Sequence, residues 1–261
     1  MKHSHKQVYG GFALATLFVL SGCATGGTPA EVTPAVAPSL AAHTVYERLV
    51  DAVGGREALQ RYSSAHALGT FSVPAQGIEG DLEVFSAAPN LFLVHVDIPG
   101  FGSVRSGYDG TVGWSINPAM GPMVLDGNQL EQMRQQADFF GPLNMEAYVD
   151  SAEVVGEEQF EGKTCQKVRV VTKWGEVYHE FYDVATGLAV GNIRSQESPM
   201  GAMETTTVLS DYKDFGGILA PSQTVQRVMG MEQIITVTAI DYDTVDPAVF
   251  ALPDEIKALL K

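Results

Sequence analysis

The sequence predicts a mainly β protein of the α+β kind: a curved antiparallel sheet of about 11 strands with helices covering its concave face. Three observations lead there. Apolar and polar residues alternate with period two through much of the chain beyond residue 69, the pattern of strands with one buried face. Turn formers recur between these runs at short spacing, which pairs neighbours as hairpins. Two helical patches interrupt the alternation, and a large twisted sheet curls, leaving a hollow for them to fill. Composition agrees: Gly 27 and Pro 13 are plentiful, while charged residues are only 18% of the 261, below the roughly 25% of an ordinary domain.

Residues 1–22 have the layout of a secretory signal. Lys2 and Lys6 precede the apolar run Val8 to Leu20, which ends in Leu20-Ser21-Gly22-Cys23. The run is too short for a membrane span, which takes about 20 apolar residues. Its last four residues resemble the lipobox of bacterial lipoproteins, so Cys23 is expected to be the lipidated N-terminus of the mature chain, holding it to membrane lipid. Acyl chains contribute about 0.8 kcal/mol per buried CH₂, enough for stable anchoring when several are attached. Ala24, where inner-membrane lipoproteins often carry Asp, points to the periplasmic face of the outer membrane, with the inner membrane as the alternative. Residues 23–40, with prolines at 29, 34 and 38 and no aromatic, read as an extended tether of about 50 Å. Residues 41–261 are the expected folded domain.

In that domain Ser39 is placed to cap a helix through Tyr46, Leu49, Val50 and Val53, broken at Gly54-Gly55 and resumed from Arg56 to Tyr62. Strands follow at Gly69–Val73, Asp81–Val84 and Leu91–Val96. The second helical patch runs from Asn128 to Phe140, with Leu130, Met133 and Ala137 on one face, and continues from Leu143 to Tyr148 beyond Pro142. About seven strands are expected from Val154 to Ile240, including Lys167–Val170, and a short helix from Asp254 to Leu260 ends the chain. Asp109-Gly110, Glu161-Gly162, Trp174-Gly175, Thr186-Gly187, Gly216-Gly217 and Gly230 supply turns.

Charge and motifs exclude several functions. Lys and Arg total 16 against 31 Asp and Glu, a net charge of -15, which repels a phosphate backbone, so no nucleic-acid partner is expected. Two cysteines exclude a disulfide framework, and Cys165 is read as a buried structural thiol. His43, His66, His95 and His179 lack metal-ligand spacing, and no metal or other cofactor is expected. Asp211, Asp214, Asp241, Asp243 and Asp246 lack EF-hand spacing and suit solvated turns. Gly100-Phe101-Gly102 is not a dinucleotide loop and no G-x-S-x-G elbow occurs, so no catalytic residue is named and no enzyme is expected.

Gly54-Gly55-Arg56-Glu57-Ala58-Leu59, Gly107-Tyr108-Asp109-Gly110 with Trp114, Phe160-Glu161-Gly162-Lys163 before Lys167-Val168, Tyr182-Asp183 with Thr186-Gly187-Leu188, Asp211-Tyr212-Lys213 and the ending Asp246-Pro247 with Phe250 and Pro253 together resemble the LolA/LolB-like carriers of lipoproteins and hydrophobic ligands. The resemblance spans residues 54–253. It implies an unclosed β-barrel with a helical lid around an apolar cavity that takes acyl chains. The lipobox is a feature shared with LolB and absent from soluble LolA.

A dry concave surface suffices for an acyl chain. Its expected lining is Phe71, Val84, Leu93, Trp114, Leu130, Met133, Val168 and Val170, with Met200 and Met203 as adaptable surface. Ile98 and Phe101, in a Pro/Gly loop, and Met120 and Met123, in a second, are expected to form a membrane or transfer loop, as the family resemblance also implies. The expected function is therefore a membrane-anchored periplasmic lipoprotein that binds or transfers acyl chains of lipid or lipoprotein cargo. The alternative is a lipid-anchored scaffold that serves an envelope protein partner and holds no ligand.

Overall fold

The computed structural model describes residues 40–198 and 201–261. The signal segment, Cys23, the tether and Met200 lie outside the described residues. Thirteen strands join in one antiparallel sheet: β1 (Ser64–Val73), β2 (Ile78–Ala87), β3 (Leu91–Ile98), β4 (Gly102–Tyr108), β5 (Gly113–Asn117), β6 (Gly121–Val124), β7 (Val149–Phe160), β8 (Lys163–Thr172), β9 (Val177–Asp183), β10 (Ala189–Ser198), β11 (Gly201–Phe215), β12 (Ile218–Val228) and β13 (Met231–Tyr242). Each strand pairs with its successor in the chain, with two exceptions. β1 pairs with β13, while β6 and β7 are the two edges, so the curved sheet stays unclosed. The helices are α1 (Leu40–Ala52), α2 (Gly55–Leu59), α3 (Gly127–Ala137), α4 (Met145–Tyr148) and α5 (Asp254–Leu259).

The mainly β, unclosed class is as expected, but the sheet has thirteen strands where about 11 were expected. The extra strands lie between residues 102 and 124. β5 and β6 hold only five and four residues, too few for alternation to show. Gly121–Val124, expected as a loop, is the edge strand β6. Pro122 is accommodated there because an edge strand leaves one side of its backbone without a partner. The other edge, β7, carries Glu153, Glu157 and Glu158 exposed, charges that discourage pairing with another chain.

The chain must travel from the β6 edge to the β7 edge, and α3 and α4 make that crossing. α3 packs its Met133 and Ala137 on the face formed by Phe71, Leu82, Phe92, Val94, Ile235 and Val237. α1 lays Ala42, Val45 and Tyr46 on Val168, Val170, Tyr178 and Tyr182 of β8 and β9. Both patches are on one face. Cross-strand register connects them in a single row: Phe71 to Ile235, Ile235 to Thr224, then from Gln226, two residues along β12, to Thr207, Asn192, Glu180 and Val168. This is the inner face. Gly54, between α1 and α2, has a φ of 123° that is open to glycine, and a Cβ there would lie 2.5 Å from the Gly217 carbonyl oxygen.

The outer face has its own cover. Arg105 of β4 reaches Glu255 of α5 at 3.8 Å, so the C-terminal segment lies over β3 to β6 on the side away from α3. Near the other edge, Phe160, Cys165, Phe181, Val190 and Val208 make a second outer core, with Phe160 stacked on Phe181 at 4.1 Å. Cys165 is buried and free, as the sequence reading has it.

Candidate functional site

The inner face consists of two apolar fields separated by a polar band. In the first field Phe71 is buried, Met133 joins it from α3, and Val84 and Leu130 pack partly buried against them. In the second, Val168 and Val170 are fully buried. Six of the eight expected lining residues thus share this face. Leu93 and Trp114 do not. Leu93 alternates with the inward residues Phe92 and Val94, and it stands opposite Gly107, which stands opposite Trp114. Gly113, next to Trp114, is the inward residue: a Cβ there would lie 2.9 Å from Leu130. Trp114 is therefore an outer-face side chain, buried on the side that the C-terminal segment covers. Period two places residues on alternate faces, and only the register decides which face is inside.

The band between the fields comprises Thr207, Ser222, Thr224 and Gln226, all buried, with Asn192 beside them. It leads to Glu180. Tyr178, Glu180 and Tyr182 are at alternate positions of β9 and share the inner face, so both phenols can turn onto the carboxylate between them. Tyr182 Oη donates to Glu180 Oε2 at 2.8 Å and Tyr178 Oη to Oε1 at 3.3 Å. Tyr46, from α1, donates to Oε2 at 3.2 Å and meets the Tyr182 ring edge to face. Burial raises the Glu180 carboxyl above its ordinary value, and the Tyr182 hydroxyl, the Arg194 charge and the Tyr46 and Tyr178 hydroxyls offset this only in part. Burial, and then the Glu180 charge, raises Tyr46 and Tyr182 as well.

A second carboxylate is paired differently. Glu176 accepts from Arg194 Nη1 at 2.7 Å, from Gln132 of α3 at 3.1 Å and from Trp174 at 3.2 Å. The Arg194 guanidinium also lies 3.9 Å over the Tyr178 ring. Burial opposes the charge on Arg194, but Tyr178 and Glu176 outweigh it and hold its pKa up. Glu180 and Arg194 are both partly buried. None of this polar cluster was picked out from the sequence, although the Tyr-His-Glu-Phe-Tyr run of residues 178–182 puts an acid between two phenols on one strand face.

The expected transfer loops divide in two. Phe101 and Met120 are exposed at hairpin tips that touch: a Cβ on Gly102 would lie 3.2 Å from Pro118. Ile98 and Met123 belong instead to strands and pack on the inner core, because each lies within its ladder rather than at its turn. Met229 and Met231, not singled out beforehand, are exposed at the β12–β13 hairpin, which antiparallel order puts at the same end of the sheet. Gly230 between them, read as a turn former, was the sequence signal for their exposure.

Tertiary structure also brings His66 and His95 to Glu83 on the outer face, at 3.2 and 3.7 Å. Among the described residues no three His, Cys, Asp or Glu are grouped to hold a metal ion, and no helix is long and apolar enough to cross a membrane. Asp214, Asp243 and Asp246 accept from backbone N–H groups in turns.

An unclosed antiparallel sheet with helices laid on its inner face is a LolA-like fold, the fold that the sequence resemblance implied. Solved structures of this shape include a DUF1329 family protein from Desulfovibrio piger, 13% identical, with TM-score 0.57 over 80% of this chain and 96% of that one. A LolA superfamily protein from Nitrosomonas europaea is 11% identical, with TM-score 0.55 over 80% and 97%. A Vibrio parahaemolyticus domain named for outer membrane lipoprotein sorting is 13% identical, with TM-score 0.51 over 76% and 91%. At such identities the likeness is one of fold alone. No family model and no curated protein matches the sequence.

Proposed function

We propose that this chain is an envelope lipoprotein that receives acyl chains of lipid or lipoprotein on the inner face of its sheet. The observation that carries the reading is the cover of that face: two separate helices, rather than a second sheet, lie on two apolar fields. A helix can be withdrawn with local rearrangement, whereas a packed sheet cannot without losing its ladder. The LolA-like fold and a neighbour named for lipoprotein sorting support the same reading. Phe101, Met120, Met229 and Met231 form an apolar rim at one end of the sheet, suited to contact with a membrane or donor during transfer. Cys23 is the anchor in this reading, and its replacement by Ser should release the protein from the membrane fraction. No catalytic step is assigned.

Transfer of a fluorescent fatty acid from vesicles to the full chain tests the proposal. Phe101→Glu puts a charge where an apolar contact is needed, so it should slow transfer at unchanged circular dichroism. Equal rates would remove Phe101 from the process. A second reading, the ligand-free scaffold, is favoured by the packing of the inner face by α1 and α3, and absence of any fatty acid binding would establish it over the carrier.

A further inference from the structure

Seen from the sheet, α1 is the cover of the second apolar field. Its first half sets Ala42, Val45 and Tyr46 on the second apolar field, and the Tyr46 hydroxyl completes the coordination of Glu180. At its other end Arg48 donates to the Val184 carbonyl at 2.9 Å, and just beyond the helix the Leu219 N–H donates to the Val53 carbonyl at 2.9 Å and Gly54 abuts Gly217. Were the first half displaced, Val168 and Val170 would be uncovered, and Glu180 would keep Tyr178 and Tyr182 but lose a donor at Oε2. Whatever replaces α1 must bring apolar surface and restore that donor, because an unsatisfied carboxylate at this depth is costly.

The charges around Glu180 define the donor. Arg194 makes its close ion pair with Glu176 while its charge also acts on Glu180, so Glu180 has no close ion pair within the cluster and, with both acids ionised, the three groups sum to one formal negative charge. Directly across the ladder, the side-chain Oδ1 of Asn192 is buried and has no hydrogen-bond partner. Two acceptors thus share the inner face beside groups whose formal charges sum to minus one. An anionic headgroup would be repelled there, and a group with several N–H donors would satisfy both.

We propose that the inner face selects amphiphiles whose headgroup is a primary ammonium over those whose headgroup is an acid, with Glu180 and Asn192 as the headgroup site and Val168 and Val170 beneath the chain. This rests on the carrier reading above and names the class of cargo it takes. Tyr46 then acts as the built-in competitor for the same place.

The test is isothermal titration of the full chain with dodecylammonium, dodecanol and dodecanoate, each below its micellar concentration, at neutral pH. Dodecylammonium should bind at least tenfold more tightly than dodecanoate, with dodecanol between. Glu180→Gln should bring the two charged probes within about threefold of each other, following the loss of one unit of buried charge. Tyr46→Phe, which keeps the ring and removes only the competing donor, should tighten dodecylammonium several-fold, since a weaker closed state leaves more of the open one. It also serves as the second variant if Glu180→Gln does not fold. Binding of all three probes with no charge preference, or a preference that survives Glu180→Gln, overturns the headgroup site and leaves the carrier reading standing. No binding of any probe to the wild-type chain overturns both.

Discussion

Removal of the Phe250 side chain by Phe250→Ala is the sharpest check on which face of the sheet Trp114 occupies. Phe250 is only 5% exposed, in a short turn between β13 and α5, and Ile256 of α5 is fully buried. Truncating a buried phenylalanine costs about 3–5 kcal/mol, from lost transfer energy and the cavity left behind. For a folded part of some 200 residues, each kcal/mol shifts the melting temperature by roughly 2–4 °C, so a fall of roughly 10 °C is expected. The C-terminal segment covers the face on which Trp114 lies, so its loosening should admit water to the indole. In a Trp174→Phe background, where Trp114 is the remaining tryptophan, emission should shift to the red and acrylamide quenching should rise. The control is Leu130→Ala on α3, which disturbs the inner face and should leave the Trp114 spectrum almost unchanged. The reverse outcome, a spectrum sensitive to Leu130→Ala and indifferent to Phe250→Ala, would put Trp114 on the inner face and refute the register argument.

Three further outcomes are expected. Glu180 has a folded-state pKa raised above its ordinary value of 4.5, so the folded state takes up its proton first as pH falls; wild-type stability should rise relative to Glu180→Gln on acidification toward 4.5, by urea unfolding, and a flat difference would refute the assignment. Asp243 is depressed below 3.8 chiefly by the Ser63 N–H, so Asp243→Ala should lose about 1 kcal/mol after allowance for solvent exposure, with the wild-type advantage vanishing as pH falls through the depressed pKa. Gly191→Ala puts a Cβ 2.0 Å from the Thr207 carbonyl oxygen and 2.9 Å from the Phe160 ring, and should cost about 3 kcal/mol or more in thermal unfolding; a melting temperature within a degree of wild type would contradict the close approach.

The sequence by itself determined the elements whose information is local. Amphipathic spacing in residues 40–52, stopped by Gly54-Gly55, defines α1, and the Leu130, Met133, Ala137 stripe defines the buried side of α3. Period two and regularly placed glycines define the antiparallel meander, and their count failed only where β5 and β6 are too short to show a period. The proposed anchor at Cys23 rests on a local motif too, outside the described residues. Tertiary structure alone decided which face of the sheet is inner. Alternation is symmetric between two buried faces, so Leu93 and Trp114 look the same as Phe71 and Val168 until the β3–β4–β5 register and the C-terminal cover break the symmetry. It also decided the Glu180 site, whose hydroxyls come from residues 46, 178 and 182. Two of them are neighbours on one strand, but the third is 134 positions away, and only the fold of α1 onto β9 brings its hydroxyl to the carboxylate.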